Sequence, residues 1–148
     1  MRAVIQRVKE ASVTIEGKIH SSISNGLLIL LGVSEDDTEE DLNYIAEKAV
    51  NLRIFEDTEK KMNFSCIDVK GEILVVSQFT LLAETRKGRR PSFVKAAKPD
   101  KAIPLYEKFI KKIESYGITV KSGIFGAMMD VKLLNYGPVT IIIDSVEK

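Results

Sequence analysis

Apolar and polar residues alternate through the first third of the chain, which is the pattern of strands with one buried face. The alternation predicts strands at residues 2–8, 11–15 and 19–23. Residues 27–33 form a continuous apolar run, short enough to be a central strand buried on both faces. The Asn25-Gly26 pair before that run is a frequent hairpin turn. We therefore expect an antiparallel meander at the start of the fold.

Two later segments change to helical spacing. Thr38 is expected to cap the first helix, whose acidic first turn suits the positive end of the helix dipole. Its buried stripe comprises Leu42, Ile45, Ala46 and Ala49. The second helix is expected to begin at Pro99 and to end at Gly117. Its buried face comprises Ala102, Ile103, Tyr106, Phe109, Ile110 and Ile113.

Short apolar segments predict the remaining strands. They lie at residues 52–55, 72–76, 119–122, 131–134 and 139–143. The last two flank Gly137 and Pro138. Because Pro138 has no backbone N–H and disfavours the middle of a paired strand, we expect a hairpin turn between them.

Length, charge and cysteine content limit the class of protein. A chain of 148 residues suits one domain, spanning residues 1–148. Its net charge of +1 means that any nucleic-acid contact must come from a local basic patch. A single cysteine, Cys66, rules out an intrachain disulfide. No membrane-length apolar run or signal-peptide core is seen, so we expect a cytoplasmic protein with no membrane partner.

The supply of chemically reactive side chains is also small. His20 is the only histidine, so Ser-His-Asp or Cys-His machinery would depend on it. One histidine and one cysteine leave mostly carboxylates as metal ligands, so we expect no metal. A hydrolase of this composition would rely on backbone dipoles and on its substrate.

Small polar residues follow the predicted buried strand at residues 72–76. They are Ser77, Gln78 and Thr80, with Phe79 among them. The end of a buried strand is a common place for a site, because a rigid element holds the side chains. The alternative is that Ser77 and Thr80 only satisfy local backbone groups.

A basic loop, residues 84–98, comes next; it contains six basic residues and one acidic residue. It is either a solvated surface or a phosphate-contacting loop, in which Phe93 could pack or stack on a base. Further on, Gly123 and Gly126 suggest a close backbone approach, to a ligand or a second chain. Met128 and Met129 could line an adaptable pocket there or fill the core.

Five stretches in order resemble one family, the D-aminoacyl-tRNA deacylases. They are residues 1–8, Ser77-Gln78-Phe79-Thr80-Leu81, Lys87-Gly88 with Arg90-Pro91-Ser92-Phe93, Gly123 with Phe125-Gly126-Ala127-Met128-Met129, and Asn135 with Gly137-Pro138-Val139-Thr140. One position departs from the pattern: Tyr136 stands where the family often carries an acidic residue.

The resemblance implies a homodimeric α/β fold, with helices on one side of two packed β layers in a three-layer α/β/β arrangement. It implies an enzyme without a cofactor that hydrolyses the ester between a D-amino acid and the 3′ adenosine of tRNA. Glycine mischarged onto alanine tRNA would also be removed, and L-aminoacyl-tRNA would be rejected. Such an enzyme proofreads chirality in translation.

The resemblance also implies roles for individual residues. Ser77, Gln78, Phe79 and Thr80 would form the catalytic pocket. Gly137 and Pro138 would be joined by a cis bond and inserted into the partner subunit's active site, braced across the dimer by Arg7. From the residues themselves, the candidate tRNA-binding or supporting residues are Arg86, Lys87 and Arg90 of the basic loop, and Ala127 and Met129 are candidates for lining the adenosine pocket.

The chemistry of such a site is consistent with these residues. Carbonyl oxygens of a Gly-Pro pair could accept hydrogen bonds from the substrate's α-ammonium, which would aim an L side chain at the Gly-Pro wall. Backbone N–H groups near Phe79 and Thr80 could stabilise the oxyanion. We expect Thr80 to orient groups rather than attack, with a ribose hydroxyl helping the water.

Two other functions fit parts of the sequence. One is a dimeric RNA-binding module, which would bind tRNA through the basic loop without hydrolysing an ester. The other is a different small hydrolase with Ser77 or Thr80 as nucleophile, which would cleave small esters without needing adenosine.

Overall fold

The computed structural model describes residues 1–147, which form eight strands and two α-helices. The elements are β1 (Arg2–Ile15), β2 (Lys18–Ile23), β3 (Gly26–Gly32), α1 (Glu39–Asn51), β4 (Phe55–Glu56), β5 (Met62–Phe64), β6 (Glu72–Ser77), α2 (Pro99–Glu114), β7 (Val120–Ser122) and β8 (Asp130–Asp144). A 3-10 turn, Phe79–Leu82, follows β6, and a second one, Ser145–Glu147, follows β8. Among these residues no helix is both long and apolar enough to cross a membrane.

Six strands form one mixed sheet, in the order β2-β1-β3-β6-β7, with β8 paired to β1. The pairs of β1 with β2, β3 and β8 are antiparallel, whereas β3–β6 and β6–β7 are parallel. The chain between β3 and β6 contains α1, and the chain between β6 and β7 contains α2. The two helices are therefore the crossovers that parallel neighbours require.

The predicted meander is wrong, because β3 pairs with β1 and not with β2. β1 is a single strand rather than the two that we predicted, and it is long enough to take two partners along its length. Its first half pairs with β3, and its second half pairs with β2. The Asn25-Gly26 pair therefore links two collinear strands. A Cβ on Gly26 would overlap the backbone of Glu72, so glycine permits the close approach of β3 and β6.

The sheet buries side chains on both faces, which produces two hydrophobic clusters. The larger cluster lies under the helices and includes Ile29, Val75 and Phe109. The smaller cluster joins Leu74 of β6 to Val13 of β1 and includes parts of β2 and β3. The outer half of β1 thus folds over the parallel strands. This arrangement confirms the expected α/β fold with two β layers and helices on one side.

The predicted C-terminal hairpin is also wrong. Both apolar runs belong to β8, which stays antiparallel to β1 from Asp130 to Asp144. Gln6 pairs with Thr140 and Val8 pairs with Asn135, so Arg7 alone lies opposite residues 136–139. The proline is accommodated because these residues bulge from the ladder instead of reversing the chain. In place of the strand predicted at residues 52–55, the structure has the two-residue strand β4, Phe55–Glu56.

Both predicted helices are present. Thr38 and Asp41 form a capping box at the start of α1. α2 begins at Pro99 as expected, although it ends at Glu114, before Gly117. Tyr106 and Phe109, on the buried face of α2, pack into the cluster beneath the helices. The two helices together cover one face of the parallel strands and leave the end of β6 open.

Candidate active site

A cavity of about 440 Å³ opens where β6 ends. Its lining brings together the predicted residues Ser77, Gln78, Phe79, Thr80, Ala127 and Met129. Ser77 pairs with Leu31 of β3, and the backbone N–H of Gln78 donates a 2.8 Å hydrogen bond to the Leu31 carbonyl. The chain then enters the 3-10 turn Phe79–Leu82. A rigid strand end therefore holds the polar residues, as the sequence predicted.

The cavity has a mostly apolar and uncharged wall. Within the described chain its lining contains no acidic, basic or histidine side chain, and its polar side chains are Ser77, Gln78, Thr80 and Tyr106. The Tyr106 hydroxyl donates a 2.8 Å hydrogen bond to the carbonyl oxygen of Val75. Burial raises the pKa of Tyr106 to about 12, so its phenol stays protonated near neutral pH. None of these groups is suited to act as a general base near neutral pH.

The hydroxyl of Thr80 is held by the side chain of Gln78. The Gln78 amide nitrogen donates a hydrogen bond to the Thr80 hydroxyl oxygen. Phe79 and Thr80 are the first residues of the 3-10 turn, whose opening N–H groups have no partner inside the turn. The turn therefore presents two backbone donors close to the Thr80 hydroxyl.

The opposite wall of the cavity comes from the segment between β7 and β8. Phe125, Ala127, Met128 and Met129 line it, and the Phe125 ring lies 6.0 Å from that of Tyr106. Met128 is 90% exposed at the rim, whereas Met129 packs against the smaller cluster. The space beside Gly123 is filled by the Met129 sulfur, so this glycine serves close packing rather than an open ligand site.

The basic loop lies beside the cavity but does not line it, apart from Ala97 near its end. Glu84 and Ser92 exchange backbone hydrogen bonds of 2.8 and 3.0 Å, which closes the loop. The backbone N–H of Ala97 donates a hydrogen bond to the Val33 carbonyl. Arg86, Lys87, Arg89 and Arg90 are all exposed to solvent. The loop meets the site through Phe93, whose ring contacts the ring of Phe79.

The Gly137–Pro138 bond is cis, and both residues are exposed. Gly137 has φ of +139°, a conformation that side chains disfavour. Arg7, facing this bulge, donates a 2.8 Å hydrogen bond from Nε to the Tyr136 carbonyl and another from Nη1 to the Ile54 carbonyl. We expected Arg7 to brace the pair across a dimer. The observed brace lies within one chain, because β1 and β8 are neighbouring strands.

Within one chain, the Gly137–Pro138 bulge and the cavity lie far apart. Arg7 pairs with Leu27, and Leu27 pairs with Ile73, four residues before Ser77 along β6. The bulge and β6 are also three strand spacings apart, since β8, β1, β3 and β6 follow in that order. Strand geometry then separates the bulge from Ser77 by roughly 20 Å. The two predicted parts of the site do not meet in a single chain.

Cys66 and His20 are not part of this site. Cys66 is buried in the larger cluster, and burial raises the pKa of its thiol to about 12. His20 lies exposed on β2 and does not line the cavity. The sequence did not identify Tyr106 and Phe125 as cavity residues. The helical spacing of Tyr106 indicated only packing, and the glycines beside Phe125 suggested a close backbone approach without giving its ring a role. The position of both rings depends on the crossover of α2.

Comparisons with known proteins agree on one family. Residues 4–144 match the family described as D-Tyr-tRNA(Tyr) deacylase. A protein named D-aminoacyl-tRNA deacylase from Thermus aquaticus is 57% identical over 148 residues, covering 100% of this chain and 97% of the relative. One of the same name from Aquifex aeolicus strain VF5 is 59% identical over 147 residues, 99% of each chain.

A solved structure also resembles the whole chain. The protein named c-Myc DNA Unwinding Element Binding Protein superposes with a TM-score of 0.91 and is 41% identical. The match covers 97% of this chain and 98% of that one.

Proposed function

This chain belongs to the D-aminoacyl-tRNA deacylase family, and we propose that the cavity at the end of β6 is its catalytic site. The protein is an enzyme that hydrolyses D-aminoacyl-tRNA to the free amino acid and tRNA, which is proofreading in translation. The observation that carries the site proposal is that Ser77, Gln78, Phe79 and Thr80 share one cavity with Ala127 and Met129. Its volume lies within the range of small-ligand sites.

The reaction at this site would depend on the backbone and on the substrate. The N–H groups of Phe79 and Thr80, which have no partner inside the 3-10 turn, would stabilise an oxyanion, and one such donor is worth roughly 10²–10³-fold in rate. The uncharged lining offers Thr80 no base, which disfavours it as a nucleophile. A ribose hydroxyl of the 3′ adenosine would instead help to position the water, with Thr80 orienting it. The apolar wall around Ala127 and Met129 would contact the adenosine.

Chirality would be selected by the Gly137–Pro138 bulge of a second copy of the chain. The carbonyl oxygens of the exposed residues Gly137 and Pro138 would accept hydrogen bonds from the substrate's α-ammonium, which would direct an L side chain into the bulge. A D side chain would point to open space. Glycine has no side chain to exclude, so glycine mischarged onto alanine tRNA would also be hydrolysed. Selectivity for the D ester then arises because the bulge sterically excludes the side chain of the L enantiomer.

A homodimer would bring the two parts together. The bulge is roughly 20 Å from Ser77 in its own chain, by strand geometry, and therefore needs a second copy to reach a cavity. Among residues 1–147, β8 pairs with β1 alone, so its outer edge is open. That edge carries the exposed apolar residues Leu134 and Ile142, which are suited to a self-complementary contact. The dimer would work in the cytoplasm, where aminoacyl-tRNA is used.

The activity test follows deacylation of matched D- and L-tyrosyl-tRNA by the purified protein. Turnover of the D ester with little turnover of the L ester supports the proposal. Binding of tRNA without turnover would favour the RNA-binding module. Cleavage of small esters that lack adenosine would favour the nucleophilic hydrolase.

A mixing test addresses the shared site. Two variants are prepared, Gln78→Ala with a damaged cavity and Pro138→Ala with a damaged bulge. After dissociation and random reassociation of an equal mixture, about half of the dimers should be mixed, and one of the two sites in each mixed dimer is intact. Activity should therefore return at about a quarter of all sites. No recovery in mixtures that are shown to contain mixed dimers would contradict a site shared between subunits.

A further inference from the structure

The ring of Tyr136 contacts two cationic side chains of β1. The guanidinium carbon of Arg7 lies 4.8 Å from the ring centroid, and the Lys9 Nζ lies 4.5 Å from it. Both distances are within the range in which an aromatic ring attracts a cation. Tyr136 directly precedes Gly137, so this contact lies beside the bulge.

Arg7 depends on this ring more than an exposed arginine would. Its exposure is only 1%, and within residues 1–147 none of the ion pairs includes it. Its guanidinium is compensated by the carbonyl oxygens of Tyr136 and Ile54 and by the Tyr136 ring. A buried charge needs all its partners, because water cannot replace one that is removed.

The same guanidinium touches the bulge. A Cβ added to Gly137 would lie 2.8 Å from the Arg7 Nη2, so this nitrogen packs against the glycine. The position of Arg7 therefore determines where the Tyr136 carbonyl and Gly137 lie. The bulge is held from its other side by Asn135, whose side-chain oxygen accepts a 2.9 Å hydrogen bond from the Val139 N–H.

We propose that Tyr136 is a positioning residue for chiral selection, a role that rests on the proposed function of the Gly137–Pro138 bulge. Its ring, which also contacts Lys9, holds the Arg7 guanidinium against the bulge. Without the ring, the buried Arg7 guanidinium loses one of its partners and shifts from its place beside the bulge. The Tyr136 carbonyl and Gly137 then move, and the bulge no longer meets an L side chain at a fixed place.

The principal test measures the ratio of D- to L-tyrosyl-tRNA deacylation rates. Tyr136→Leu should lower this ratio about tenfold, because it takes the aromatic ring away from a desolvated cation. Tyr136→Phe keeps the ring and should restore the ratio to within about twofold of the unaltered enzyme. The ratio does not change with the fraction of folded enzyme, so a purely structural role would leave it unchanged.

Tyr116→Leu is the matched control. It removes another ring beside a cation, with Lys112 at 5.2 Å, at the far end of α2. Its ratio should equal that of the unaltered enzyme. The proposal is overturned if Tyr136→Leu keeps the normal ratio, or if Tyr136→Phe loses as much as Tyr136→Leu.

A second readout does not involve catalysis. The solvent exchange of the Arg7 Nε–H, followed by NMR, should be about tenfold faster in Tyr136→Leu, because the guanidinium is held less firmly. Unchanged exchange would contradict the role assigned to the ring. If the unaltered enzyme failed to hydrolyse D-tyrosyl-tRNA, the proposed function would fall, whereas this measurement would still test the contact between Tyr136 and Arg7.

Discussion

The rings of Phe79 and Phe93 meet edge to face, with their centroids 5.0 Å apart. Phe79 belongs to the 3-10 turn at the cavity, and Phe93 belongs to the basic loop. Both rings keep considerable exposure, at 54% and 36%. Phe93 is therefore not the buried anchor that a core position would require. It connects the loop expected to contact tRNA with the turn that carries Thr80.

Removing this ring pair should loosen the turn. Phe93→Ala is expected to lower kcat/KM for D-tyrosyl-tRNA about tenfold, because an aromatic pair is worth roughly 0.5–1.5 kcal/mol beyond its buried area. Phe93→Tyr keeps the ring and should lose little. Steady-state kinetics check both variants. Equal kcat/KM for Phe93→Ala and the unaltered enzyme would show that the ring pair has no part in the reaction.

Thr80→Ala tests whether the hydroxyl attacks or orients. An orienting role predicts measurable deacylation, reduced by about tenfold to a hundredfold, since the backbone donors and the substrate remain. Thr80→Ser should stay close to the unaltered rate. Complete loss with intact folding and tRNA binding would overturn this role, as would an acyl adduct on Thr80 found by mass spectrometry.

Pro138→Ala tests the wall of the chiral site. Because Pro138 is exposed on the bulge, its loss should affect substrate selection more than folding. We expect a lower rate on D-tyrosyl-tRNA, because the carbonyl oxygens of the bulge no longer hold the α-ammonium in place, and a higher rate on L-tyrosyl-tRNA. Pro104→Ala in α2 is a matched proline control away from the bulge. Unchanged rates and chirality in Pro138→Ala would remove the role assigned to it.

The charges of the basic loop should appear in the salt dependence of tRNA binding. Changing Arg86, Lys87, Arg89 and Arg90 to Gln should weaken binding and flatten its salt slope. For each single-stranded phosphate that is no longer neutralised, the slope of log affinity against log salt should fall by about 0.7.

A comparison of two double variants isolates position from charge. Arg89→Gln/Arg90→Gln and Lys111→Gln/Lys112→Gln each remove two positive charges, the first in the loop and the second near the end of α2. Only the loop variant should change the slope. An equal change in both would indicate a general effect of net charge, with no tRNA phosphate bound at the loop.

Cys66 should make stability fall at alkaline pH. Its thiol pKa is raised from 9.0 to about 12 by burial, so the folded protein keeps a proton that the unfolded chain loses above pH 9. The free energy of unfolding should therefore fall by up to about 1.4 kcal/mol per pH unit above pH 9.

Denaturant unfolding at pH 8 and pH 10 checks this prediction. At pH 10 the unfolded chain's Tyr106 is about half ionised, and because burial raises its folded pKa to about 12 it adds a smaller loss of stability that is the same in both proteins. Cys66→Ala should show a smaller loss of stability over the interval. An identical loss in both proteins would mean that the buried thiol ionises normally.

Local sequence patterns determined the two helices, the buried strand β6 and the polar residues at its end. Each of these features depends on contacts between residues close in the chain, such as the Thr38–Asp41 box, or on a burial pattern that one strand displays. The order of the five stretches identified the family, and residues 77–80 of the second stretch and 125–129 of the fourth line one cavity.

Strand partners could not be predicted locally, because alternation reports which face is buried and not which strand lies alongside. β3 pairs with β1 instead of β2, because β1 is long enough to pair with β3 and β2 in succession. β8 pairs along the other edge of β1 and continues through Pro138 beside Arg7. The contacts of Tyr136 with Arg7 and Lys9 depend on that pairing. The distance between the bulge and the cavity depends on the strand order in the same way. Only the tertiary structure decides these contacts and this distance, because they join segments that are far apart in the sequence.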